Sequence, residues 1–184
     1  EGEKRMNARV VADLEQALDV LARNSTPLDT ESKARFAEQL GKLFGVKPDE
    51  VGILMLVDKG RLLKFVVPEK LQAVGTIPLT SNSALAARTA RDKRHEVINA
   101  FTSARHATVF EGVPLSRRRD ELIHKIMSAP ILAESKVVGV VQISRKGRTP
   151  ADAGPDFSPQ DLRELVALND VLARFLTLCQ EPSA

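Results

Sequence analysis

Two apolar runs, IMSAPIL over 126–132 and VVGVVQI over 137–143, are separated only by Ala133-Glu134-Ser135-Lys136. Runs this short, rich in Val and Ile and joined by a polar break, predict a β-hairpin lying at the centre of a sheet. A chain built on such a hairpin needs a packed layer against it, and this sequence supplies helices. After the hairpin, the loop 144–157 carries two prolines, two glycines and mixed charge, which predicts a mobile surface excursion. It closes on Phe157-Ser158-Pro159. There Ser158 can accept from the free amides of a first helical turn, Pro159 loses nothing at the first helical position, and Asp161 completes a capping-box pattern. One helix is expected over 158–180. Leu165, Leu168, Leu172, Phe175 and Cys179 form one apolar seam on it, and Leu162, Val166, Asn169, Ala173 and Leu176 form a second. A helix with two seams needs two partners.

Upstream, the stretch 4–23 places Val11, Leu14, Leu18 and Leu21 three or four residues apart, a narrow seam of the coiled-coil kind. Paired terminal helices and a homodimer through them are the expectation. A second helix is expected over 30–44, capped by Asp29 or Thr30 and stopped at Gly45, with Phe36, Leu40, Leu43 and Phe44 on the stripe that faces the sheet. VGILMLV over 51–57 predicts a central strand. Asp58-Lys59-Gly60 is a turn, and 61–67 is the partner strand, ended by Pro68. A third strand near 73–78 leads through Thr80-Ser81-Asn82-Ser83, a cluster of potential helix caps, into an alanine-rich helix over 84–92. Glu96-Val97-Ile98 fits a short edge strand. From Asn99 to Glu121 the apolar residues follow neither period, and long irregular segments of compact domains are often binding elements.

This order of strand, tight turn, glycine-bearing strand, loop and helix start resembles the C-terminal half of the GAF family. The residues that carry the resemblance are Ala129-Pro130-Ile131, Val138-Gly139-Val140 and Phe157-Ser158-Pro159-Gln160-Asp161-Leu162. Gly75-Thr76-Ile77-Pro78-Leu79, followed by a Ser/Ala-rich helix, looks like the family's third strand and next helix, so the resemblance covers 46–178. It implies an α+β, profilin-like fold: a central antiparallel sheet with helices on both faces and the terminal helices packed together. One domain over 1–184 is expected, with a dimerisation-type helix at 1–24, a helix-plus-sheet core at 25–157 and a closing helix at 158–180.

The resemblance also implies a small-molecule cavity between one sheet face and the segments after the third strand. Mapped onto this chain, Phe65 and Met127 would form its floor and the stretch 99–111, with Phe101, Arg105, His106 and Phe110, its lid. Ser81 and Ser83, at a helix N-terminus, would join Arg88, Arg105 and His106 in favouring an anion. The plainer alternative makes the serines caps, the phenylalanines core and the arginines solvated side chains.

The 184 residues, 43% of them apolar, suffice for one buried core. With 28% charged residues and a formal net charge of +3, the surface is well solvated and carries no strong basic field, so a nucleic-acid partner is not expected. Trp and Tyr, which stack on bases, are absent. Arg117-Arg118-Arg119, flanked by Ser116 and Asp120, is better read as a solvated turn. A single cysteine excludes an internal disulfide and points to a reducing, cytoplasmic compartment, and no run approaches the roughly 18 apolar residues of a membrane span.

His95, His106 and His124 stand at no metal-ligand spacing, no nucleophile elbow or phosphate-binding glycine loop occurs, and Cys179 falls on a helical seam as an apolar filler. Neither a metal, a cofactor nor enzymatic activity is expected. Family members that reduce free methionine sulfoxide use several cysteines, those that hold a bilin covalently use a pocket cysteine, and cyclic-nucleotide binders carry an Asn-Lys-x-Asp/Glu-type motif; this chain has none of the three. The expectation is a sensory or regulatory domain that binds a small cytosolic ligand, an anion being favoured, and signals through helix packing in a homodimer. The alternative is a ligand-free dimerisation or protein-interaction module. An enzyme, or the effector half of a transcription regulator, ranks below both.

Overall fold

The structure, a computed structural model, describes residues 2–101 and 122–180. Helices α1 (Gly2–Asn24) and α2 (Thr30–Phe44) precede strands β1 (Val51–Val57), β2 (Leu62–Val67) and β3 (Thr76–Pro78). Helix α3 (Leu85–Asp92), strands β4 (Glu96–Ile98), β5 (Leu122–Ala133) and β6 (Lys136–Gly147), and helices α4 (Pro150–Ala153), α5 (Pro159–Ala167) and α6 (Asn169–Cys179) follow. The strands make one antiparallel sheet in the order β3-β2-β1-β6-β5-β4. Two short 3₁₀ turns, Pro48–Glu50 and Glu69–Val74, flank the first hairpin.

Local chemistry fixes the turns. At the β5–β6 turn Glu134 and Ser135 both take positive φ, 51° and 67°, which is the twist a two-residue hairpin loop needs. Gly45 ends α2 in the left-handed conformation at φ 64°. At the start of α2, the Asp29 carboxylate accepts from the Ser32 amide at 2.8 Å, and that bond holds its pKa below the usual aspartate value. The capping box at α5 forms as the sequence suggests: the Asp161 amide donates to Ser158 Oγ at 3.1 Å, and the Ser158 amide donates to Asp161 Oδ2 at 2.7 Å.

The sheet separates two cores. On one face α1, α2, α5 and α6 pack on Ile53, Met127, Val141 and Ile143, with Leu18, Phe36, Leu40 and Phe175 wholly buried among them. On the other, α3 lies on Leu54, Leu63, Phe65 and Val140 through Ala86, Ala87 and Ala90, whose short side chains let the helix sit close. The fold is therefore α+β with helices on both faces of an antiparallel sheet, and β1 and β6 at its centre.

Two local expectations change. The closing helix is two helices, α5 and α6, that part at Leu168. The cause is Asn169: its Oδ1 accepts from the Leu132 amide at 2.8 Å and its Nδ2 donates to the Leu132 carbonyl at 2.9 Å, so the amide takes the place of a neighbouring strand at the end of β5. The segment 144–157 keeps an exposed stretch at 148–152 and 155–156 but is ordered rather than an irregular loop, because β6 runs on to Gly147 and α4 follows. The Arg145 guanidinium covers the buried Phe157 ring at 4.5 Å and donates to the Phe44 carbonyl at 3.1 Å, which ties the segment to α2. The terminal helices pack together as the sequence suggests: Leu14, Leu18 and Leu21 of α1 are buried against the other helices, and Asp19 pairs with Arg174 of α6. No helix among the described residues is long and apolar enough to cross a membrane.

Candidate functional site

Residues directly opposite each other in antiparallel strands point to the same face. Register pairs Glu96 with Ser128, Ser128 with Gln142, and Gln142 with Gly52. Four neighbouring strands, β4, β5, β6 and β1, therefore carry one continuous row, Glu96-Ser128-Gln142-Gly52. At roughly 4.8 Å per strand the row runs about 14 Å across the sheet. It lies on the α3 side, because Ser128 Oγ is 2.7 Å from Thr89 Oγ1 of α3.

Three members of this group are buried polar side chains: Thr89 and Ser128 are fully enclosed and Gln142 nearly so. Gln142 Nε2 donates to Ser128 Oγ at 3.3 Å. At the β4 end, Arg88 of α3 donates to Glu96 Oε1 at 2.9 Å. At the other end Gly52 is only half-buried, although it sits in a central strand. A Cβ there would stand 3.8 Å from the Phe65 ring and 3.9 Å from Gln142, so the position offers bare backbone beside a polar amide. The enclosed hydroxyls and amide bond one another, and the end of the row that a small polar molecule can reach is the half-buried Gly52 backbone, with Gln142 and the apolar Phe65 ring beside it.

The residues singled out from the sequence divide as follows. Phe65 borders the row. Phe101 is buried with Leu85 and Ile126 under the N-terminal end of α3, in a small apolar cluster beside the row. Met127 is a correction: it is buried on the opposite face, in the core under the four helices, and cannot share a cavity floor with Phe65. Its neighbour Ser128 faces α3 in its place.

Arg88 is engaged by Glu96 and is not a bare cation. Ser81 and Ser83 do not cap α3, whose N-cap is Ala84 without a side-chain bond. Instead Ser81 Oγ accepts from the Ala84 amide at 3.2 Å, and the Ser81 carbonyl accepts from Arg91 at 2.6 Å, so both serines belong to the turn before the helix. Arg105, His106 and Phe110, with most of the 99–111 lid, lie outside the described residues. Thr89, Ser128, Gln142 and Gly52 were missed. Their signal was available: Ser128 and Gln142 interrupt otherwise apolar strands, and Gly52 interrupts another.

Cys179 lies on α6, partly buried against the helix-layer core. Burial pushes its thiol up to about 12, so it stays protonated at neutral pH. Native protein at pH 8 is expected to react with iodoacetamide more than about 10-fold more slowly than the urea-unfolded chain; equal rates would show the thiol to be exposed. Among the described residues no group of His, Cys, Asp and Glu could hold a metal ion.

No family model and no curated sequence matches the chain. Solved structures do. The GAF domain of an Acinetobacter phosphoenolpyruvate-protein phosphotransferase superposes with a TM-score of 0.64 at 13% identity, covering 94% of this chain and 93% of that one. The free methionine-R-sulfoxide reductase of Neisseria meningitidis, solved with its substrate, gives 0.63 at 15% identity over 97% and 92%. Residues 122 to 287 of a methyl-accepting chemotaxis protein give 0.58 at 15% identity over 92% and 98%. Coverage of both partners is nearly complete in each case, so the likeness concerns the whole architecture, the antiparallel sheet with its helix layer on one face and α3 on the other, and this chain has the GAF fold.

Proposed function

We propose that the chain is a sensory or regulatory domain of the GAF type that holds a small polar ligand between its sheet and α3. The observation that carries this reading is the row of Ser128 and Gln142 under Thr89, with half-buried Gly52 beside it. Polar groups enclosed in an otherwise apolar layer must bond one another to avoid a desolvation cost, as Thr89, Ser128 and Gln142 do. A core built for stability alone would carry Ala, Val or Leu at these positions, as the opposite face of the same strands does. The likeness to a chemotaxis-protein segment supports a sensory role. A reductase role like that of the Neisseria protein gains no support from Cys179, the chain's single cysteine, which lies across the sheet from the row. An anionic ligand loses part of its motive, since Arg88 is already paired with Glu96.

The row also has a path outward. Three residues beyond Glu96, Asn99 donates through Nδ2 to the Phe157 carbonyl at 3.0 Å and accepts from the Phe157 amide at 2.9 Å. Phe157 stands two residues before α5. A shift of β4 on ligand binding would thus pull on the start of α5 and on the helix layer. Self-association through α1 and α6 belongs to the same reading; the exposed Val20 on α1 is what supports it, the seams themselves being buried within the chain.

Native mass spectrometry and thermal shift against polar metabolites test the proposal in the wild type and in Gly52→Val. The added side chain meets only ordinary contacts at its Cβ, so the variant should melt within about 3 °C of wild type while placing bulk beside Gln142 and the Phe65 ring. A ligand that raises the wild-type melting temperature by about 3 °C or more, and fails to do so in Gly52→Val, is the expected result. If the bare mass appears and no compound stabilises either form, the chain is a ligand-free interaction module, and the same spectrum gives its subunit number.

A further inference from the structure

We propose a second small-molecule site, separate from the polar row, in the groove between α2 and the turns Pro48–Glu50 and Glu69–Val74, and that it takes a zwitterionic α-amino acid with an apolar side chain. The groove encloses about 350 Å³, at the small end of the roughly 300–1,000 Å³ of small-molecule sites, which suits a ligand of one residue's size. Its walls are Pro48 and Pro68, whose rings restrict the backbone and keep the groove from collapsing. Ala34 and Ala37 of α2, with Val67 as buried floor, give it depth, because no long side chain fills it.

The rim decides the ligand class. It carries two cations, Lys33 and Lys70, and two anions, Asp49 and Glu69. Thr30 Oγ1 donates to Glu69 Oε1 at 2.8 Å and fixes that carboxylate beside α2, with its other oxygen not used by this bond. Lys33 lies one helical turn further along the same face as Thr30. The two signs are therefore neighbours, and yet among the described residues none of the four forms an ion pair within 4.0 Å. A lone carboxylate would face Asp49 and Glu69, and a lone ammonium would face the two lysines. A molecule bearing both charges satisfies both: its carboxylate meets Lys33 and Lys70, its ammonium meets Glu69 or Asp49, and its side chain covers Ala34, Ala37 and Val67.

Titration of the full chain with L-leucine and L-phenylalanine, followed by backbone amide NMR, tests this against isovalerate and isoamylamine, which each keep one of the two charges. The amino acids are expected to move the Ala34, Ala37 and Val67 amides saturably and to bind about 10-fold or more tightly than either analogue. Ala34→Trp, at an exposed helical position, should fold normally and lose binding by more than about 10-fold, and Glu69→Gln, which keeps an acceptor for Thr30, by about 5-fold or more. Equal binding of the analogues, no saturable shift up to about 10 mM, or a shift that persists in Ala34→Trp overturns the proposal. Gly52→Val leaves this groove intact, so the two sites can fail separately.

Discussion

Gly139→Ala is expected to destabilise the domain by at least about 3 kcal/mol, toward the upper end of single substitutions. A Cβ at this position would lie 2.3 Å from the Leu54 carbonyl oxygen and 2.6 Å from Leu176 Cδ1. Leu176 could turn aside, but Leu54 is backbone of β1, the strand hydrogen-bonded to β6 at the centre of the sheet. One methyl group therefore forces the two central strands apart or tilts β6 out of register. The glycine is required for close approach of neighbours and not for an unusual backbone angle, since its φ is not positive. Chemical denaturation of the soluble variant, or the loss of soluble protein altogether, measures the effect. A midpoint within experimental error of wild type would show that β1 and β6 do not approach as described.

The second large effect belongs to the helix layer. Phe175→Ala should cost about 3–5 kcal/mol and lower the melting temperature by roughly 10–15 °C for a domain of this size. Phe175 is wholly buried, and its ring stacks on that of Phe36 with centroids 4.2 Å apart and planes 10° from parallel. Truncation removes the ring, leaves a cavity between α2 and α6, and strips Phe36 of its partner. A double-mutant cycle with Phe36→Leu should return a coupling of about 0.5–1.5 kcal/mol. If the two losses simply add, the stack contributes nothing beyond burial.

Both phenylalanines were visible in the sequence as members of apolar stripes, but their meeting was not, because a stripe names the face of a helix and not its neighbour. The same division runs through the molecule. The β1–β2 and β5–β6 hairpins, the α5 capping box and the Gly45 stop were legible, since each is decided by residues a few positions apart. The break at Leu168 was not. It depends on Asn169 finding the backbone of Leu132, 37 residues away.

Met127 failed for a different reason. A strand covered on both faces is apolar throughout, so periodicity carries no information on which residue faces which layer. The polar residues are the markers of face in such strands. Ser128 and Gln142, taken as register partners, would have placed the row on one side and Met127 on the other. The acceptor pattern of α3 was misjudged because serines near a helix start suggest caps, yet the chain turns once more before the helix begins at Leu85.

The two asparagine joints have a consequence of their own. Asn99 and Asn169 each moor a helix to the sheet through one donated and one accepted bond, a pairing that an amide can make and a carboxylate cannot. Deamidation at either position would set an acceptor against the Phe157 or Leu132 carbonyl, exchanging an attraction for a repulsion. Chemical ageing of this chain at those two sites would slacken the attachment of its helices while leaving both greasy interiors untouched.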